Sequence, residues 1–155
     1  MRNTSFAWLL IASVAACGSS PDQGNASTIA ACDLLSQDDI LHVTGAVVGP
    51  GLLQTTDDQA SCDWNAPDGA SGVAAVGVAV QNFDASLWQS DSSSVHATPV
   101  IGIGEEAFKG FPHAGDLSVK QGAYEIDLGI IDFTDDPATV DAASLQLMTL
   151  VLQRV

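Results

Sequence analysis

The most specific chemistry in this sequence belongs to its three cysteines, and their surroundings separate one from the other two. Cys17 ends the run Val14-Ala15-Ala16-Cys17, behind an apolar stretch from Phe6 to Val14 and the basic Arg2. A basic start, a short apolar run and small residues are the parts of a secretory signal, and a cysteine directly after Ala-Ala makes it a bacterial lipobox. At such a site the thiol takes a diacylglycerol, cleavage follows, and the acylated cysteine becomes the new N-terminus. The apolar stretch is well short of the roughly 20 residues that span a bilayer. Residues 1–16 are thus expected to be a lipoprotein signal peptide, with Cys17 the lipidation site. A single acyl chain, palmitate for instance, binds a membrane marginally, whereas two or three anchor stably.

Cys32 and Cys62 remain for the mature chain, which the signal places in an oxidising compartment. Two thiols allow one intramolecular pairing, and neither sits in a Cys-x-x-Cys spacing that would favour a metal. A Cys32–Cys62 bridge is expected; closing a loop of about 30 residues contributes about 3 kcal/mol on the chain-entropy account.

Other groups have weaker patterns. His42, His96 and His113 lie far from one another and from any free cysteine, so zinc would need long-range assembly. Two carboxylate clusters, Asp57-Asp58 with Asp63 and Asp68, and Asp132 with Asp135-Asp136, lack the EF-hand spacing that calcium loops use. Gly102-Ile103-Gly104 has no third glycine, and Glu105-Glu106 would repel a pyrophosphate; a tight turn into a helix, with the glutamates on its N-terminal dipole, is the expectation. No Gly-x-Ser-x-Gly elbow is present. No cofactor or metal is implied and no residue is assigned a catalytic role. Phe108 and Phe111, in Phe108-Lys109-Gly110-Phe111-Pro112, read as loop aromatics that mark a possible contact surface.

The elements that must position these groups follow from periodicity. Gly18 to Thr28 is small, polar and broken by Pro21, which makes residues 17–29 a flexible tether to a single domain over residues 30–155. Ser36 caps a short helix to Thr44, with Ile40, Leu41 and Val43 inward and Gly45 as its stop. Leu52–Thr55 and Ser61–Asn65 read as strands, then Pro67-Asp68-Gly69 turns the chain into Val73–Gln81. Asp84 caps a helix through Gln89, a Ser-rich loop follows, and Val95–Ile101 is an edge strand blunted by Pro99. Asp116–Gln121 pairs through Gly122 with Ala123–Ile131, where Tyr124, Ile126, Leu128 and Ile130 face the core while Glu125 and Asp127 face water. Asp136-Pro137 opens a last helix with Val140, Ala143, Leu147 and Val151 inward and Arg154 at its C-terminal dipole. The fold class is α+β: a single antiparallel sheet with helices packed on one face, in the order α-β-β-β-α-β-β-β-α.

The landmarks are similar in order to a family of small envelope lipoproteins of unknown function from high-GC Gram-positive bacteria. They are the lipobox, Cys32-Asp33-Leu34-Leu35-Ser36, Cys62-Asp63-Trp64, and Gly102-Ile103-Gly104-Glu105-Glu106-Ala107-Phe108. The resemblance implies the fold and the bridge, and no reaction.

Charge narrows the partners. The chain has 19 acids against 4 Lys and Arg, a formal charge of −15 that becomes −16 once Arg2 is removed. Such a surface repels phosphate backbones and anionic lipid, so nucleic acid is excluded as a partner class and the N-terminal lipid must hold the membrane. The expected location is the cell membrane or the outer membrane, with the domain facing the periplasm or exterior. The expected function is a binding module for an envelope protein partner or a small ligand. The alternatives are an envelope enzyme using carboxylates on a glycan or peptide, and a passive structural surface lipoprotein.

Overall fold

Alternation at period two builds seven strands of this chain into one sheet. A computed structural model describes residues 25–68, 72–110, 115–132 and 136–155. In chain order the elements are α1 (Gln37–Thr44), β1 (Leu52–Thr55), β2 (Gln59–Asn65), β3 (Val73–Asn82), α2 (Ala85–Ser92), β4 (Thr98–Pro99), β5 (Glu106–Lys109), β6 (Leu117–Gln121), β7 (Tyr124–Asp132) and α3 (Pro137–Leu152). All strands pair antiparallel in the order β1-β2-β3-β7-β6-β5-β4. The α+β class is therefore as the sequence implied, and the long pairing of β3 with β7 joins its two halves.

Each helix starts at a side chain that takes up its otherwise unpaired N–H groups. The Ser36 hydroxyl accepts from Asp39 N while the Asp39 carboxylate accepts from Ser36 N at 2.8 Å, a reciprocal capping box. Gly45, at φ +71°, ends α1 in the left-handed region. Asp84 accepts from the backbone N–H groups of Ser86 and Leu87, and Asp136 from those of Ala138 and Thr139. Two local expectations change. α2 runs on to Ser92, absorbing part of the serine-rich loop. Arg154 reaches across to α1, where its guanidinium donates to the Leu34 carbonyl and to both Asp39 oxygens at 2.8 and 3.2 Å. That contact with Arg154 holds the Asp39 carboxyl well below the usual carboxylate range.

One sheet face carries the core: Ala60, Cys62 and Trp64 of β2, Val76, Val78 and Val80 of β3, Val119 of β6, and Ile126, Leu128 and Ile130 of β7. Ile40 of α1 and Val140, Leu147, Met148 and Val151 of α3 cover them. Ser144, a buried hydroxyl on α3, donates to the Gly115 carbonyl at 2.6 Å, so the polar group is satisfied and pins the helix to the start of β6. Leu41, expected inward, is 44% exposed, because Ile40 takes the inward position on this two-turn helix.

The expectation of helices on one face holds for α1 and α3 and fails for α2. Trp88 of α2 donates its indole N–H to Glu106 at 3.1 Å and packs on Phe108, with ring centroids 4.9 Å apart. Glu106 and Phe108 alternate with core-facing Ala107, so α2 lies on the opposite face.

The Gly-x-Gly segment also differs: it turns into β5 and not into a helix. Gly104, at φ +57°, leaves no space for a Cβ, which would meet Val119 Cγ1 at 2.2 Å. Glu105 consequently has no helix dipole to serve; its carboxylate accepts from Gly122 N at 3.1 Å and pairs with Lys120 at 3.3 Å, clamping the β6–β7 turn.

The folded body begins earlier than residue 30. Asn25 caps a 3-10 turn, Ala26–Thr28, whose Ala26 is fully buried and donates its N–H to the Asn82 side chain at 3.0 Å. A second 3-10 turn, Ala31–Asp33, carries Cys32 to Cys62 of β2, and the two form a disulfide across a Cα–Cα distance of 5.0 Å.

Candidate functional site

Where α1, α3 and the ends of the two central strands meet, the described residues leave part of the sheet uncovered. A cleft of about 410 Å³ opens there. Val73 of β3 and Ile130 of β7 form its floor, Val43 and Thr44 of α1 one wall, and Ala138, Thr139, Val140, Ala142, Ala143 and Gln146 of α3 the other. The cleft exists because the α3 residues facing it are mostly small. Ala138, Ala142 and Ala143 leave the space that larger aliphatic side chains close further along the helix, at Leu147 and Met148. Its body is apolar, and hydroxyls and an amide from Thr44, Thr139 and Gln146 stand among the lining groups, with Asp132 at the end of β7. The size and this pairing of apolar wall with few polar groups are those of small-ligand sites.

The opposite face holds two carboxyls whose pKa values burial raises. Glu125 on β7 is 4% exposed, between Gln81 of β3 and Lys120 of β6 in register. Burial pushes its pKa up to about 7, with the Asp127 charge and the more distant Asp91 and Asp84 adding to it. Asp127, two residues on, accepts from the Ser118 hydroxyl at 2.5 Å, and burial raises its pKa too. Lys120 brings little relief: its ammonium is shared between Glu105 and Glu106 at 3.3 and 3.4 Å and sits 5.0 Å from the centroid of the Phe83 ring. An acid–base pair for hydrolysis needs two carboxyls with environments pushed apart. Here both move the same way, and neither lines the cleft.

The residues singled out from sequence are scattered. Cys32 and Cys62 are joined. Phe108 is buried and packs at a tilt on Trp88, in the small aromatic cluster that seats α2, and lies on a strand instead of a loop. The strand alternation of β5 turns it away from the core and onto the face where Trp88 of α2 packs. Cys17, Phe111, His113 and Asp135 lie outside the described residues. Asp57 and Asp58 are exposed in the β1–β2 turn, Asp63 is on β2, Asp68 is exposed beyond it, and Asp136 caps α3. Among the described residues, no three His, Cys, Asp or Glu side chains come together as a metal site, and no helix is long and apolar enough to cross a membrane.

The cleft was not visible as a site in the sequence. Its signal, in retrospect, is the run of small residues on the first turns of a helix that is otherwise rich in Leu and Val. Comparison of the chain with family models, curated proteins and solved structures finds no match. The geometry alone therefore carries the functional reading.

Proposed function

We propose that this chain is a lipid-anchored extracytoplasmic binding module that takes a small amphipathic ligand in the cleft between α1, α3 and the sheet. The observation that carries this reading is the 410 Å³ cleft itself, whose floor and walls are mainly apolar. An apolar body would bury against Val43, Val73, Ile130 and Val140, with a polar end at Thr44, Thr139 or Gln146. The acidic chain, with its formal charge of −15, favours a neutral or cationic ligand over an anionic one. Acylation of Cys17 would keep the cleft close to a membrane, where amphipathic molecules concentrate.

The neutral fluorophore N-phenyl-1-naphthylamine tests the cleft. It should bind the folded protein saturably, and Ala143→Trp should weaken that binding at least tenfold, about 1.4 kcal/mol, by filling the space. Binding that is absent, or unchanged in a folded Ala143→Trp protein, would remove the basis for the reading.

A further inference from the structure

The two edges of the sheet are treated differently. β4 is two residues long and contains Pro99, which cannot donate to a further strand. β1, at the other edge, has neither proline nor charge: it reads Leu52-Leu53-Gln54-Thr55, and all four residues are exposed, Leu52 by 57% and Leu53 by 55%.

The direction of its backbone groups follows from the pairing. Thr56 N bonds Gln59 O, and the register sets Gln54 against Ser61 and Leu52 against Asp63. In an antiparallel ladder, hydrogen-bonded and non-bonded pairs alternate. Gln54 and Leu52 therefore bond inward to β2, while the N–H and C=O groups of Leu53 and Thr55 point away from the sheet. Among the described residues, no backbone group pairs with them.

Charge decides what fits. Asp57 and Asp58 follow the strand in its turn, and Asp63 stands beside its start, so carboxylates flank two leucines at both ends. Among the described residues no cation answers them: Lys109, Lys120 and Arg154 are paired with Asp141, with Glu105 and Glu106, and with Asp39. A second copy would set two bodies of formal charge −15 side by side along four residues, far less contact than the roughly 1,000 Å² a stable interface needs. We infer that β1 is a strand-addition site for an extended segment of another protein, apolar at its centre and flanked by Lys or Arg. Backbone bonds to Leu53 and Thr55 would hold it, and the flanking aspartates would select its charge.

The test uses the chain from Cys17 onward and the labelled peptides Lys-Lys-Val-Thr-Val-Thr-Lys-Lys and Glu-Glu-Val-Thr-Val-Thr-Glu-Glu. The basic peptide should bind saturably and the acidic one not at all. Thr55→Pro removes one outward N–H without changing charge or the inward ladder, and should weaken binding at least tenfold. Leu53→Lys, which keeps the backbone intact, should do the same through repulsion. Ala143→Trp should have no effect, which separates this site from the cleft. Equal binding by Thr55→Pro means the peptide is held by diffuse charge, and overturns the inference. So does an edge occupied by a second copy, seen as a dimer lost in Thr55→Pro, or by the chain's own N-terminal residues, seen as binding that appears only when the chain is shortened to start at Asn25.

Discussion

Replacing both bridge cysteines, Cys32→Ala with Cys62→Ala, should lower stability by about 2–5 kcal/mol and the melting temperature by roughly 8–15 °C. The bridge closes a loop across a sequence separation of 30, so its loss returns substantial freedom to the unfolded chain. It also anchors the N-terminal segment of the described fold to β2. Residues 25–36 reach the sheet through the two 3-10 turns, with Ala26, Ala31, Leu34 and Leu35 buried in the core. Around Cys62 there is no slack: a Cβ on Gly51 would lie 2.5 Å from its sulfur and 2.8 Å from the indole nitrogen of Trp64. Thermal unfolding followed by circular dichroism checks the effect. Reductant added to the unaltered protein should reproduce most of it, and a double variant that melts within 2 °C of the parent would show the bridge to be dispensable.

Stability should fall as pH rises from about 4.5 to about 7, the reverse of the usual behaviour of an acidic protein, and Glu125→Gln should abolish most of that fall. The Glu125 carboxyl has an ordinary value of 4.5 and stands at about 7 in the fold. Between those values the folded chain holds a proton that the unfolded chain has released. The folded state is therefore favoured at the acid end, loses that advantage as pH rises through 7, and changes little beyond. The gap is worth about 3 kcal/mol. Asp127, also raised by burial, acts in the same direction. Asp39, Asp84, Glu105 and Asp136 are held below their ordinary values and act in the opposite sense, but below about pH 4, outside this window. Urea midpoints at pH 5 and 8 separate the outcomes. The variant should exceed the parent by roughly 2–3 kcal/mol at pH 8, by about 1 kcal/mol at pH 5, and match it at pH 4. A parent that gains stability from pH 5 to 8 would show that Glu125 is ionised without cost.

What could be read in the sequence was what local rules determine. Asp84, Asp136 and Ser36 announce their helices because capping uses residues two or three positions away. The alternation over Tyr124–Ile130 announces β7 for the same reason. The pairing of β3 with β7 carries no such signal, since hairpins with near neighbours satisfy the same pattern. Glu125 was misplaced by a related gap. Alternation says which residues share a face, but not whether that face is covered, and α2 covers this one through the long-range packing of Trp88 on Phe108. Glu105-Glu106 behind Gly104 has the composition of a helix start, yet Gly104 is there to let Val119 and Lys120 approach. The cleft draws its lining from four elements and depends on what is missing from α3, so a linear reading offers little purchase on it.

The intact mass of the protein isolated from its native cells tests the central claim of an acylated, tethered binding domain most directly. The chain should begin at Cys17 and carry a diacylglycerol on that sulfur, with or without a further acyl group on the new amine. A mass that retains residues 1–16 with an unmodified Cys17 would contradict the anchor, the oxidising location and the role drawn from them.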